Sequence, residues 1–144
     1  MNAPLYNTEI LRLAATIPYH ARLTDPMGTA EKRSPICGSR VTVDVTVDDA
    51  GRVAELGMLV RACALGQASA SLMGATVVGK SADELAAARD AVAAWLAGEG
   101  PLPDWPGFAI LTPALPHSAR HASIRLAFEA AAEASRSAVE KTPS

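Results

Sequence analysis

From Arg40 the chain alternates strictly, with Val41, Val43, Val45 and Val47 on one face and Thr42, Asp44 and Thr46 on the other. That is the period of a strand with one wet face. Asp48-Asp49-Ala50-Gly51 reads as a turn in which Gly51 takes a positive φ, and alternation resumes through Leu56, Met58 and Val60. Residues 40–47 and 53–60 therefore predict a hairpin. Helical periods surround it. Asn7 can cap a first helix carrying Ile10, Leu11 and Leu13, with Glu9 in its electropositive first turn and Pro18 marking its end. Residues 66–78, dense in Ala, Ser and Gly, predict a close-packing helix with Leu72, Met73 and Val77 as its larger apolar side chains and Gly79 as its stop. Ser81-Ala82-Asp83-Glu84 is a capping box, and the helix it opens places Leu85, Ala88, Val92, Trp95 and Leu96 on one face before Gly98, Gly100 and Pro101 end it. Ser118 caps a final helix with Ile124, Ala127, Phe128 and Ala131 at helical spacing, fraying after Ser137. Residues 21–36 read as mostly loop with room for a short edge strand. The proline-rich residues 102–116 read as a connector with one short helical turn near 108–111.

The composition suits one ordinary domain, residues 1–138, followed by a frayed tail at 139–144. An apolar fraction of 49% against 19% charged residues allows a buried core. A net charge of -2 and only 4% aromatic residues argue against nucleic acid as a partner. The N-terminal residues lack a secretory pattern and no apolar run of about 18 residues follows, which predicts a cytoplasmic protein that does not enter a membrane. Its two cysteines, Cys37 and Cys63, would then act as thiolates rather than as a lasting disulfide.

Cys37 lies just before the first hairpin strand and Cys63 just after the second, at the same end of an antiparallel pair. A three-residue loop ending at Gly51 sets residue 37 opposite 63, whereas facing Val43 with Leu56 sets it opposite 62. In either register the Cβ atoms lie about 5–8 Å apart, a separation that one metal ion or a small cluster can bridge. Cys63 also precedes the helix beginning near Gly66, whose unpaired amides and positive dipole end favour a thiolate. The alternative is a pair of inert, half-buried cysteines. No nucleophile with a base and an orienting acid can be read from the chain, so a hydrolytic enzyme is disfavoured.

Several segments, in order, resemble the NifU/IscU-type iron–sulfur cluster assembly scaffolds. Ser34-Pro35-Ile36-Cys37-Gly38-Ser39 is similar to their Asn-Pro-x-Cys-Gly-Asp motif, and Arg61-Ala62-Cys63-Ala64-Leu65-Gly66-Gln67-Ala68-Ser69-Ala70-Ser71-Leu72-Met73 to their Gly-Cys-x-Ile-Ser-x-Ala-Ser-x-Ser-x-Met segment. Gly79-Lys80-Ser81 with Glu84, and the stretch from Arg120 to Ala130, resemble the motifs that follow. The resemblance implies an α+β fold, SufE/NifU-like, in which a small antiparallel sheet of about three strands packs against several α-helices. It also implies a non-enzymatic scaffold that binds iron or a labile iron–sulfur cluster, receives sulfur from a cysteine desulfurase and serves recipient apoproteins. Cys37 and Cys63 match the first two family cysteines.

The remaining donors differ. Ser39 stands where the family has its aspartate, and aligning Leu126-Ala127-Phe128 with the Leu-Ala-aromatic run puts Ser123 where the third cysteine stands. A neutral hydroxyl is a poor ligand for iron or zinc. His121 is a candidate replacement donor after a one-residue slip, and His117 would share its face if the helix began early. His20 reads as ordinary surface; Ala68, Ser69 and Ser71 read as close-packing residues. Two other functions remain open: a metal-free adaptor of the assembly machinery, and a persulfide acceptor, zinc-dependent in the family, that holds no cluster.

Overall fold

Three strands, β1 (Gly28–Arg33), β2 (Arg40–Val47) and β3 (Val53–Arg61), form an antiparallel sheet in that order. The computed structural model describes residues 7–35 and 38–141. Four α-helices accompany the sheet: α1 (Thr8–Ala15), α2 (Ala64–Thr76), α3 (Ala82–Leu96) and α4 (His121–Glu140), with short 3₁₀ segments at Phe108–Ala114 and Ser118–Arg120. The fold is α+β, with the predicted hairpin formed by β2 and β3. None of the described helices is long and apolar enough to cross a membrane.

The valines of β2 face the core as the alternation requires, with Val41, Val43 and Val45 fully buried. Val47 faces Val53, the pairing expected of a three-residue loop closed at Gly51, but a bulge between Thr46 and Val47 shifts the ladder. Beyond the bulge Val43 faces Met58 and Arg40 faces Arg61. Neither anticipated register therefore holds at the far end of the hairpin, because the extra residue of a bulge leaves no mark in the apolar alternation.

β1 fills the segment expected to be mostly loop. Its apolar signal is weak because α4 crosses it almost backbone to backbone. A Cβ added at Gly28 would lie 2.1 Å from the Ala134 carbonyl oxygen, so only glycine fits. α4 is correspondingly rich in small residues, with Ala127, Ala130, Ala131, Ala134 and Ala138 buried alongside Ile124 and Phe128. It packs on β1, β2, α2 and α3. Burial of Ala138 and the contact of Val139 with the core carry α4 to Glu140, past the expected fraying at Ser137.

Helix ends differ from expectation in three further places. α2 begins at Ala64 and ends at Thr76, so Cys63 itself is the N-cap and the positive φ of Gly79 falls in the turn beyond. α4 begins at His121 without a side-chain cap, since residues 118–120 form a separate 3₁₀ turn; Ser118 does not cap it. α3 begins as predicted, with both capping-box hydrogen bonds of Ser81 and Glu84 present. The connector adds buried anchors: Phe108 stands edge-to-face to Trp95 and Phe128, and Trp105 to Phe128, at centroid distances of 5.4, 5.7 and 5.1 Å. Such pairs each contribute about 0.5–1.5 kcal/mol beyond area burial.

The outer face of β2 is not uniformly wet. Asp44 has no exposed surface and Thr42 only 8%. The segment after α1 folds over the edge of β3, where the Tyr19 carbonyl accepts from the Met58 amide, and then crosses the sheet above Gly57. Asp44 opposes Gly57, and its carboxylate accepts from Arg22, from the Thr29 hydroxyl and from the Leu23 amide. Burial alone would raise this carboxyl, but the Arg22 and Thr29 hydrogen bonds, the Leu23 amide and the Arg22 charge together hold it below its ordinary value.

Asp44 therefore adds stability that is fully present above its unfolded-state value near 3.8 and is lost as pH falls through the lower folded-state value. Asp44→Ala strands the Leu23 amide and the Thr29 hydroxyl, and is expected to cost about 2–3 kcal/mol in urea melts. The same melts between about pH 6 and pH 3 should show a weaker acid dependence for Asp44→Asn than for the wild type. An unchanged profile would mean that Asp44 is not held as an ion.

Candidate functional site

The loop from Ser34 to Ser39 joins β1 to β2 at one end of the sheet. Its neck is closed by the Ser34 amide donating to the Ser39 carbonyl at 2.8 Å and the Gly38 amide donating to the Ser34 carbonyl at 3.2 Å. Ser34 and Ser39 are buried, while Gly38 adopts φ 72° and is exposed. Cys37, with Ile36, lies outside the described residues, and so does its predicted proximity to Cys63.

Cys63 leaves the same end of the sheet two residues after Arg61. Extended backbone, φ -65° and ψ 170°, makes it the N-cap of α2, and its carbonyl accepts from the Gln67 amide at 2.9 Å. Its thiol is free and half-buried, and makes no capping hydrogen bond to the helix.

The first turn of α4 is docked against this corner. A Cβ at Gly66 would lie 3.4 Å from the Ser123 Cβ, and the Ser69 hydroxyl donates to the Ile124 carbonyl at 2.7 Å. Ser69 thus links α2 to α4 by a hydrogen bond as well as by its small size. Ser123 is fully buried and its Oγ lies 3.1 Å from Oγ of Ser39. The two residues matched by resemblance to the missing donors are therefore in direct contact across a separation of 84 positions.

His121 is half-buried beside them in sequence, but its Nε2 lies 2.9 Å from the Leu115 carbonyl oxygen. A carbonyl only accepts, so Nε2 carries the proton and the lone pair of the neutral ring is on Nδ1. A backbone carbonyl behind one ring nitrogen is the usual support of a metal-binding histidine. His117 precedes the 3₁₀ turn and shares no helical face with His121. His20, expected as ordinary surface, is exposed yet accepts from the Val60 amide through Nε2 at 3.3 Å. Among the described residues, no three His, Cys, Asp or Glu side chains are grouped to hold a metal.

Sequence reasoning missed a row of cations at this end. Arg33 faces Arg40, and Arg40 faces Arg61, so all three strands end in arginine. The signal was present in the three residues but needed the true register to emerge. With Ser34, Pro35 and Gly38 they line an open concavity of about 760 Å³. Glu31 lies next to the row; hydrogen bonds from Arg33 and then Thr42 hold its carboxyl below the ordinary range.

A three-stranded antiparallel sheet carrying α4 across it, with the N-cap Cys63 at one end, defines the class of a cluster-assembly scaffold fold. The model of the NifU-like N terminal domain matches residues 5–138, and the chain belongs to that family. It is 42% identical to a nitrogen-fixing NifU-like protein (N-terminal) from Brucella abortus, with a TM-score of 0.87 and 96% of each chain covered. A protein from Fervidobacterium islandicum AW-1, described as an iron–sulfur cluster assembly scaffold for the SUF system, shares the fold at 17% identity, with a TM-score of 0.82 over 91% of this chain and 96% of that one. No curated protein matches the chain.

The Ser39–Ser123 contact generates a measurable coupling. In a double-mutant cycle, Ser39→Ala and Ser123→Ala should show an interaction of about 0.5–1.5 kcal/mol in chemical denaturation. Strict additivity would place the two hydroxyls apart in solution.

Proposed function

We propose that this protein is a non-catalytic cytoplasmic carrier in iron–sulfur cluster assembly, holding iron or a labile cluster as cargo through Cys37 and Cys63. His121 Nδ1 serves as a third donor. Sulfur comes from a cysteine desulfurase, and recipient apoproteins take the product. Family membership supports the scaffold role. The observation that carries the cysteine reading is the position of Cys63, half-exposed at the N-terminus of α2 and beside the corner where Ser39 meets Ser123. The Leu115 carbonyl behind His121 supports that third ligand.

The same serine pair favours a second reading. Two buried hydroxyls that bond to each other need no cation to satisfy them. A metal-free adaptor of the assembly machinery, or an acceptor that carries sulfur as a cysteine persulfide with or without zinc, follows from that economy.

Anaerobic reconstitution with iron and sulfide, followed by visible absorbance and its loss to a chelator, separates these readings. The wild type should form a chromophore that a chelator removes readily. Ser123→Cys should slow removal by adding a soft anionic donor, and Ser39→Asp in the same chain should slow it further. His121→Ala should weaken retention by about tenfold or more if Nδ1 is a ligand. Zinc alone in protein purified without oxygen would favour the sulfur acceptor. A wild type that holds neither iron nor zinc, while still binding a desulfurase, would replace the scaffold reading with the adaptor.

A further inference from the structure

The outer face of the sheet is divided into rows by the strand register. Thr29, Asp44 and Gly57 form one row, Glu31, Thr42 and Leu59 the next, and Arg33, Arg40 and Arg61 the last. The first is covered by the segment after α1, as the contacts of Gly57 and Asp44 show. The last is not. The Arg33 side chain is 65% exposed and that of Arg40 35%, and Leu59 is exposed beside them at 41%.

Like charges directly opposite one another across a sheet destabilise it. Glu31 offsets part of this by pairing with Arg33 at 2.9 Å and more distantly with Arg40 at 3.8 Å. Arg61 has no carboxylate partner among the described residues. Toward this end of the outer face cations outnumber carboxylates, although the whole chain has a net charge of -2. Three guanidinium groups at strand spacing span about 10 Å. That is more than a single small carboxylate or phosphate can bridge, but it is the length of about three residues of extended chain, in which side chains two apart share a face. The concavity they line is open, and Leu59 offers an apolar contact next to the charges.

We propose that Arg33, Arg40 and Arg61, with Leu59, form the docking face for an extended acidic segment of a protein partner. Its carboxylates take paired hydrogen bonds from the guanidinium forks. A segment seated there lies against Ser34, Pro35 and Gly38 and against the end of the strand that leads to Cys63. The inference does not depend on whether that corner holds a metal.

The test is fluorescence anisotropy of labelled hexaglutamate, a chain kept extended by its own repulsion, on the intact protein. The peptide should bind, and binding should weaken as salt rises from about 50 to 300 mM. Arg61→Gln and Arg33→Gln should each lower affinity by about tenfold, while Arg89→Gln on α3 leaves it unchanged. Thermal melts confirm that the variants remain folded; Arg61, exposed at a strand end, is the safer of the two. Hexaglutamate should bind more tightly than either citrate or an oligouridine of similar charge. Absence of peptide binding, binding by Arg61→Gln and Arg33→Gln as tight as that of the wild type, or an equal loss from Arg89→Gln would overturn the proposal. So would tighter binding of citrate, which would make this a small-anion site, or of oligouridine, which would make it an RNA surface.

Discussion

The structure depends on how closely α4 approaches everything beneath it. Helices packed through ordinary side chains sit about 8–10 Å apart, but α4 meets β1 at Gly28 with no room for a Cβ and meets α2 through Ser123 beside Gly66. Its alanines make this possible by presenting little more than backbone. Because α4 is buried against the sheet, α2 and α3 together, its axial position is over-determined, with Phe128 locked among Phe108 and Trp105. The first turn is therefore carried rigidly to the end of the sheet, where it delivers Ser123 to Ser39.

That contact sets the electrostatic character of the corner. A carboxylate at position 39 and a thiolate at 123 would place two anions in a buried space, a costly arrangement without a cation between them. Two hydroxyls remove that demand. The present pair is neutral and mutually hydrogen-bonded, so the corner closes whether or not a metal is present. On the proposed carrier reading, binding of iron is then a matter of what the cysteines and His121 supply rather than a condition of folding.

Local periodicity made much of this fold legible. The β2–β3 hairpin, the Ser81–Glu84 capping box and the apolar faces of α3 and α4 each follow from residues within a few positions of one another. What escaped was set by distant partners. β1 lacks large apolar residues because the α4 backbone occupies their place, and Asp44 is buried by a segment more than twenty positions away that Gly57 admits. Gly57, a glycine inside a strand, was the visible clue to a close backbone approach. The bulge at Thr46 and Val47 moved the register by one, which hid the arginine row. Of the candidate site, Cys63, Ser39, Ser123 and His121 were all nameable from the chain, but their hydrogen bonds were not: the Leu115 carbonyl behind His121 has no sequence signature.

The two ends of the outer sheet face show how one surface is apportioned between folding and recognition. At the Asp44 end a carboxylate is buried, and its partners come from the chain itself: Arg22, Thr29 and the Leu23 amide. Burial there is affordable because every charge is answered internally. At the other end the sheet carries an excess of cations that the chain does not fully answer, held at the surface where water lowers the cost of their repulsion. Covering that end would require Arg61 to lose its hydration without a carboxylate among the described residues to replace it. The chain can close the first end alone; the second can be closed at low cost only by a surface that brings its own anions.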